Sequence, residues 1–121
     1  MVIKCLDTYA IVEISEANPK FSQYLKEDIV IPDLIVAEFY SVTLRQFGKQ
    51  TAQYWLRKIA SYAKSVPLPL LIEAVEFRHE HKKNNISFFD AVGYIFSLRN
   101  NYLFVTGDKE FENLKGVEFR K

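Results

Sequence analysis

The chain has little of several things that would settle its class at a glance. Among its 121 residues there are one cysteine, four glycines, four prolines and one methionine. The lone Cys5 excludes an intramolecular disulfide framework and fits a reducing compartment. So few glycines and prolines, beside 49% hydrophobic and 26% charged residues, exclude collagen-like, low-complexity and disordered readings. Neither sign of charge prevails, since 16 basic residues face 15 acidic ones. Net charge therefore does not draw nucleic acid to the surface, and any contact with RNA or DNA needs a local patch. No uncharged apolar run approaches the ~20 residues of a membrane span, and Asp7 interrupts the N-terminus before a signal-peptide core forms. A soluble cytoplasmic protein with no membrane association is expected. The length suits one domain, residues 1–121, burying roughly two thirds of its unfolded surface without a metal or disulfide for stability.

What is present alternates between strand and helix patterns. Val2 to Leu6 reads as a buried strand that runs into the helix N-cap Asp7-Thr8. A helix follows through Tyr9, Ala10, Ile11 and Val12. Asn18-Pro19 restarts the chain as a second short helix through Phe21, Tyr24 and Leu25, and Ile29-Val30-Ile31 is a strand. Asp33 begins a longer helix that Gly48 ends, and the helical period continues from Lys49 to Lys64 as the second arm of a hairpin. Ser65-Val66-Pro67-Leu68-Pro69 supplies a short strand, and a helix runs from about Leu70 to Asn84. Ser87 opens a mostly buried helix that ends at Asn100-Asn101. Tyr102–Thr106 and Val117–Phe119 complete the strands. With no hairpin signal between strands, this order predicts a parallel sheet with helices on both faces, a three-layer α/β/α sandwich.

Four acids stand where a plain fold has little use for them. Asp7 and Asp108 directly follow apolar strands, and the carboxyl ends of strands in an open parallel sheet line the ligand crevice. Glu38 interrupts the stripe of Leu34, Ile35 and Val42, and Asp90 shares a face with Ile86, Gly93 and Tyr94. Gly93, one turn on, is read as leaving room beside Asp90. Structural duties compete for three of them: Asp7 can cap a helix, Asp108 can serve the Thr106-Gly107-Asp108-Lys109 turn, and Asp90 fits a capping box with Ser87. Glu38 has no such use, and burying it unpartnered is costly. Gathered within ~4 Å, carboxylates repel by about 4 kcal/mol per pair at an effective dielectric near 20. A divalent cation offsets that repulsion, and an all-oxygen donor set suits Mg2+ or Mn2+ better than Zn2+. Phosphodiester chemistry is the task such a site suggests.

The segments Leu6-Asp7-Thr8, Ala37-Glu38-Phe39, Ser87-Phe88-Phe89-Asp90-Ala91 and Thr106-Gly107-Asp108-Lys109-Glu110-Phe111 resemble the PIN-domain ribonucleases, particularly the VapC-type toxins of prokaryotic toxin–antitoxin pairs. The resemblance spans essentially the whole chain in order, spacing and length. It implies a PIN-like fold in which Asp7, Glu38, Asp90 and Asp108 form the acidic metal site and the Thr106 hydroxyl helps to orient it. Asp7 and Asp90 are the first choices for direct ligands, with Glu38 and Asp108 completing the site directly or through water. The activity implied is hydrolysis of RNA, in which a water activated by one or two Mg2+ or Mn2+ ions attacks phosphorus in line with the departing 3′-oxygen. The products carry 5′-phosphate and 3′-hydroxyl ends. A homodimer and a small antitoxin whose C-terminal segment covers the acidic crevice are implied as partners. The chain departs from many relatives at Tyr9, where a small Ser or Ala is usual, and a narrower pocket is the consequence.

Other readings are weaker. His79 and His81 sit two apart on a charged helix, without a zinc motif, and are read as surface residues. Cys5 is an inert core thiol. Arg45, Lys49, Arg57 and Lys58 lie on or near the helical hairpin, where they can hold an RNA backbone. Tyr40, Tyr54, Trp55 and Tyr62 are read as core or dimer interface. A receiver domain needs an acid pair after the first strand and an Asp after the third, and a haloacid-dehalogenase phosphatase needs Asp at position 9. Both lack a required carboxylate. The alternatives that remain are a housekeeping RNA-processing nuclease and a non-catalytic PIN-like protein-binding subunit.

Overall fold

The protein is described by a computed structural model covering residues 2–121. In chain order the elements are β1 (Lys4–Leu6), α1 (Thr8–Ser15), β2 (Ile29–Pro32), α2 (Asp33–Phe47), α3 (Lys49–Ile59), β3 (Ala63–Lys64), α4 (Leu68–Glu80), α5 (Phe88–Arg99), β4 (Leu103–Thr106) and β5 (Val117–Phe119). The strands form one sheet in the order β3-β2-β1-β4-β5, and every neighbouring pair is parallel. Strand alternation divides the core in two. Leu6, Ile29, Ile31 and Val105 face one side with Ile11 of α1, Ile35 and Phe39 of α2 and Ile59 of α3. Cys5, Val30 and Phe104 face the other with Ala74 of α4 and Val92 and Ile95 of α5. A parallel sheet covered on both faces by crossover helices is the three-layer α/β/α architecture that the strand and helix pattern predicts.

Several boundaries differ from those expected. The third strand is Ala63–Lys64 rather than Ser65–Pro69, and it lies beside β2 with Ile31 opposite Ala63. Helix α3 accordingly stops at Ile59, followed by a 3₁₀ turn over Ala60–Tyr62. Helix α4 begins at Leu68, not Leu70, because Pro69 in the first turn lacks only an N–H that would be unpaired there anyway. The element between α1 and β2 is a 3₁₀ helix, Ser22–Lys26. His81 is half-buried, its ring stacked on Phe77 at 4.2 Å between centroids, while His79 is exposed as expected. Among the described residues no helix is long and apolar enough to cross a membrane.

Gly93 has a purpose in packing. A Cβ there would stand 2.7 Å from Phe104 Cε1 and 2.8 Å from Ile35 Cδ1. The missing side chain lets α5 lie directly against β4 and α2, a packing demand the sequence spacing did not reveal. Gly93→Ala is therefore expected to cost about 1–3 kcal/mol through overpacking. Urea unfolding measures this, and an unchanged midpoint would mean that the Phe104 ring and Ile35 can retreat freely.

Candidate metal and active site

Strands β1 and β4 are neighbours with Leu6 opposite Val105. The residues leaving their carboxyl ends therefore open onto the same edge of the sheet. Asp7 follows β1 directly and is the N-cap of α1, its Oδ1 accepting from the Ala10 amide at 2.8 Å. Asp108 lies two residues past β4. Its Oδ1 accepts from the Glu110 amide at 3.0 Å, and its own amide donates to Thr106 Oγ1 at 3.0 Å. From above, α2 brings Glu38 and the first turn of α5 brings Asp90. All four acids line one cleft of about 430 Å3 together with Thr8, Tyr9, Gly107, Lys109 and Lys121.

The competing duties of these acids prove compatible with a shared site. At Asp7 only Oδ1 is used by the cap. At Asp90 the cap bond runs from its main-chain amide to Ser87 Oγ at 3.1 Å, so its carboxylate is left for the cleft. Glu38 is half-exposed rather than buried and is hydrogen-bonded by the Thr8 hydroxyl. That bond gives Glu38 a partner the sequence reading did not assign.

Asp7 is 1% exposed, and its Oδ2 is buried with no hydrogen bond. Burial pushes its carboxyl up to about 8; the Thr106 hydroxyl and the Ala10 amide offset part of this, and the negative charges of Asp90 and Asp108 add to it. The Thr106 influence is one of proximity, because no bond of normal geometry reaches Oδ2. Asp90 is pushed up to about 6, first by burial and then by Glu38, with Asp108 adding and Ser87 opposing. Like-charge repulsion, the reason expected from sequence, is real but second to desolvation. Burial also pushes the Cys5 thiol up to about 12, in keeping with an inert core position.

An orphaned buried carboxylate oxygen facing further acids calls for a proton or a cation, and the donors are all hard oxygens. Among the described residues no group of three or more Asp, Glu, His or Cys side chains is arranged to hold an ion unaided. The residues therefore fit a hydrated hard cation held by one or two carboxylates, the habit of Mg2+, and do not form a closed cage.

Some site residues escaped the sequence reading. Thr8, Lys109 and Lys121 line the cleft; Thr8 and Lys109 stand inside the segments that carry the resemblance but were given no role there, and nothing in a lone lysine marks Lys121 in a sequence. Of the four cations placed near the hairpin, Arg45 lines a recess of about 320 Å3 that shares Glu38 with the acidic cleft. Lys58 instead lies over the Tyr54 ring at 5.4 Å. A further recess on α4, lined by Val75, Arg78, His79, Lys82 and Phe88, contains none of the acids.

Comparison with solved structures places this architecture among known folds. VapC20 of Mycobacterium tuberculosis, a sarcin-ricin loop cleaving toxin, is 16% identical, with 98% of this chain and 99% of that chain covered and a TM-score of 0.80. VapBC2 of Rickettsia felis, bound to a DNA fragment from its promoter, is 18% identical over 98% of both chains with a TM-score of 0.75. The DNA-bound VapBC of Salmonella typhimurium is 15% identical over 99% of this chain and 98% of that chain, also at 0.75. At such identities the likeness is one of fold. No curated protein sequence matches the chain. The family model described as the PIN domain, however, matches residues 4–117, and by that near end-to-end match the chain belongs to the PIN domain family.

Proposed function

We propose that this protein is a divalent-metal-dependent endoribonuclease that hydrolyses RNA phosphodiester bonds, and that it is the toxin of a toxin–antitoxin pair. The observation that carries the reading is the orphaned Asp7 Oδ2, buried in a cleft shared with Glu38, Asp90 and Asp108. Asp7 and Asp90 are the direct ligands of Mg2+ or Mn2+ in this reading, with Glu38 and Asp108 acting directly or through water. The ion supplies water activation and charge neutralisation at phosphorus. The chain's own groups do the positioning. The Ala10 amide holds Asp7 Oδ1 and leaves the buried Oδ2 unpaired, and Thr106 fixes the Asp108 main chain. Thr8 orients Glu38, while Lys109 and Lys121 offer positive charge to RNA phosphates at the cleft rim. In-line attack leaves 5′-phosphate and 3′-hydroxyl ends.

Residues 1–121 act as one domain in this reading, in the cytoplasm. The partners are a small antitoxin covering the acidic cleft and a second copy of the chain. The VapBC neighbours support the antitoxin. The exposed stripe Leu68, Ile72 and Val75 along α4 supports self-association.

Incubating the purified chain with RNA in Mn2+, Mg2+ or EDTA tests the activity, and cleavage that persists unchanged in EDTA would reject the metal site. Binding to RNA should weaken only modestly with salt. Lys109, Lys121 and Arg45 provide about three phosphate contacts, for a slope of log K against log salt near −2. A slope corresponding to about ten contacts would place the RNA on a different surface.

A further inference from the structure

Among the described residues Tyr9 is the one large aromatic side chain lining the acidic cleft. Its position is tightly determined. A Cβ built on Gly107 would come within 2.2 Å of Tyr9 Cε1 and 2.5 Å of Cζ, so the ring rests directly on the Gly107 backbone. The Phe21 ring meets it at a 5.9 Å centroid distance and a 62° interplanar angle. Tyr9 is thus held on two sides by buried structure, while it remains half-exposed at the cleft, two residues from Asp7. A rigid ring loses little freedom on contact with a ligand, and a flat π surface beside a phosphate-binding site matches the base of an adjoining nucleotide.

We propose that Tyr9 is a substrate-positioning residue that stacks on the base of a nucleotide next to the scissile phosphate. This rests on the ribonuclease reading above. Gly107 is the enabling partner, since any side chain at that position would displace the ring. The Tyr9 ring touches a base and no reacting atom, so its contribution belongs mainly to KM.

The test uses the purified full-length chain with Mn2+ and short RNAs carrying one cleavage site, in which the nucleotide on either side of that site is intact or abasic. For the wild type, removing the base at one of the two positions should lower kcat/KM about tenfold, chiefly through KM. In Tyr9→Ala the intact RNA should already show this loss, and removing the base should then change little. Tyr9→Leu fills the space without a π surface and should behave like Tyr9→Ala, whereas Tyr9→Phe should keep the discrimination. The inference is overturned if base removal costs the same factor in wild type and Tyr9→Ala, or if Tyr9→Leu discriminates like wild type. A wild-type protein that cuts none of the RNAs would instead overturn the ribonuclease reading itself.

Discussion

Asp90→Asn should fold like the wild-type protein and cut RNA at least about a thousandfold more slowly, a loss of several kcal/mol of transition-state stabilisation. Folding should survive because the bond that caps α5 uses the Asp90 main-chain amide and Ser87 Oγ, neither of which the substitution alters. Activity should not survive. Asp90 is the acid in the cleft whose carboxyl is raised by both Glu38 and Asp108, so it lies electrostatically between them. Asp7→Asn should lose activity to a similar degree, since the amide oxygen can still accept from Ala10 while the anionic Oδ2 is gone. Circular dichroism checks folding, and initial rates with saturating Mn2+ check activity. If folded Asp90→Asn cut RNA at the wild-type rate, the four-acid assignment would be wrong.

In EDTA, stability should fall as pH rises from 5 to 8, by on the order of 3–4 kcal/mol from Asp7 alone. The sign follows from its carboxyl, which stands at about 8 in the folded protein against the ordinary 3.8 of an aspartate in water. Between those values the native state binds more protons than the unfolded chain. The stabilisation is complete below the unfolded value and is lost as pH rises through the folded one. Asp90, raised to about 6, adds in the same direction over a lower window. Asp7→Asn removes the ionisation and should flatten the profile, leaving the variant more stable than wild type at pH 8 in EDTA. Mn2+ should restore the wild type, by about 2.7 kcal/mol at a concentration a hundred times its Kd, and should restore Asp90→Asn less. Its apparent affinity should rise with pH, because the ligands must lose their protons. Urea unfolding at several pH values decides this. A flat wild-type profile in EDTA would show that Asp7 is ionised in the fold through a partner of its own.

Glu38 is not expected to follow Asp7. Its sequence position, an acid on an apolar stripe, predicts a buried charge in need of compensation. The helix instead presents it half-exposed and bonded to Thr8. Glu38→Gln retains an acceptor for that hydroxyl, so its effect on the metal-free protein should be within about 0.5 kcal/mol.

The amino-acid order by itself determined the alternation of strands and helices, because hydrophobic period and caps are local properties. It also marked Asp7, Glu38, Asp90 and Asp108 as one set, since acids at strand ends and on apolar stripes are conspicuous in any single chain. Register and mutual approach belong to tertiary structure. The pairing of Ile31 with Ala63 moved the third strand to two residues with no strand signature of their own. The close approach of α5 to β4 requires glycine at position 93, and only the packed fold shows it. Only the packed fold could divide Asp7 between a cap at Oδ1 and an orphaned Oδ2. Only there could burial outweigh repulsion in raising its carboxyl, for desolvation depends on everything that surrounds a group, and those surroundings come from residues distant in the chain.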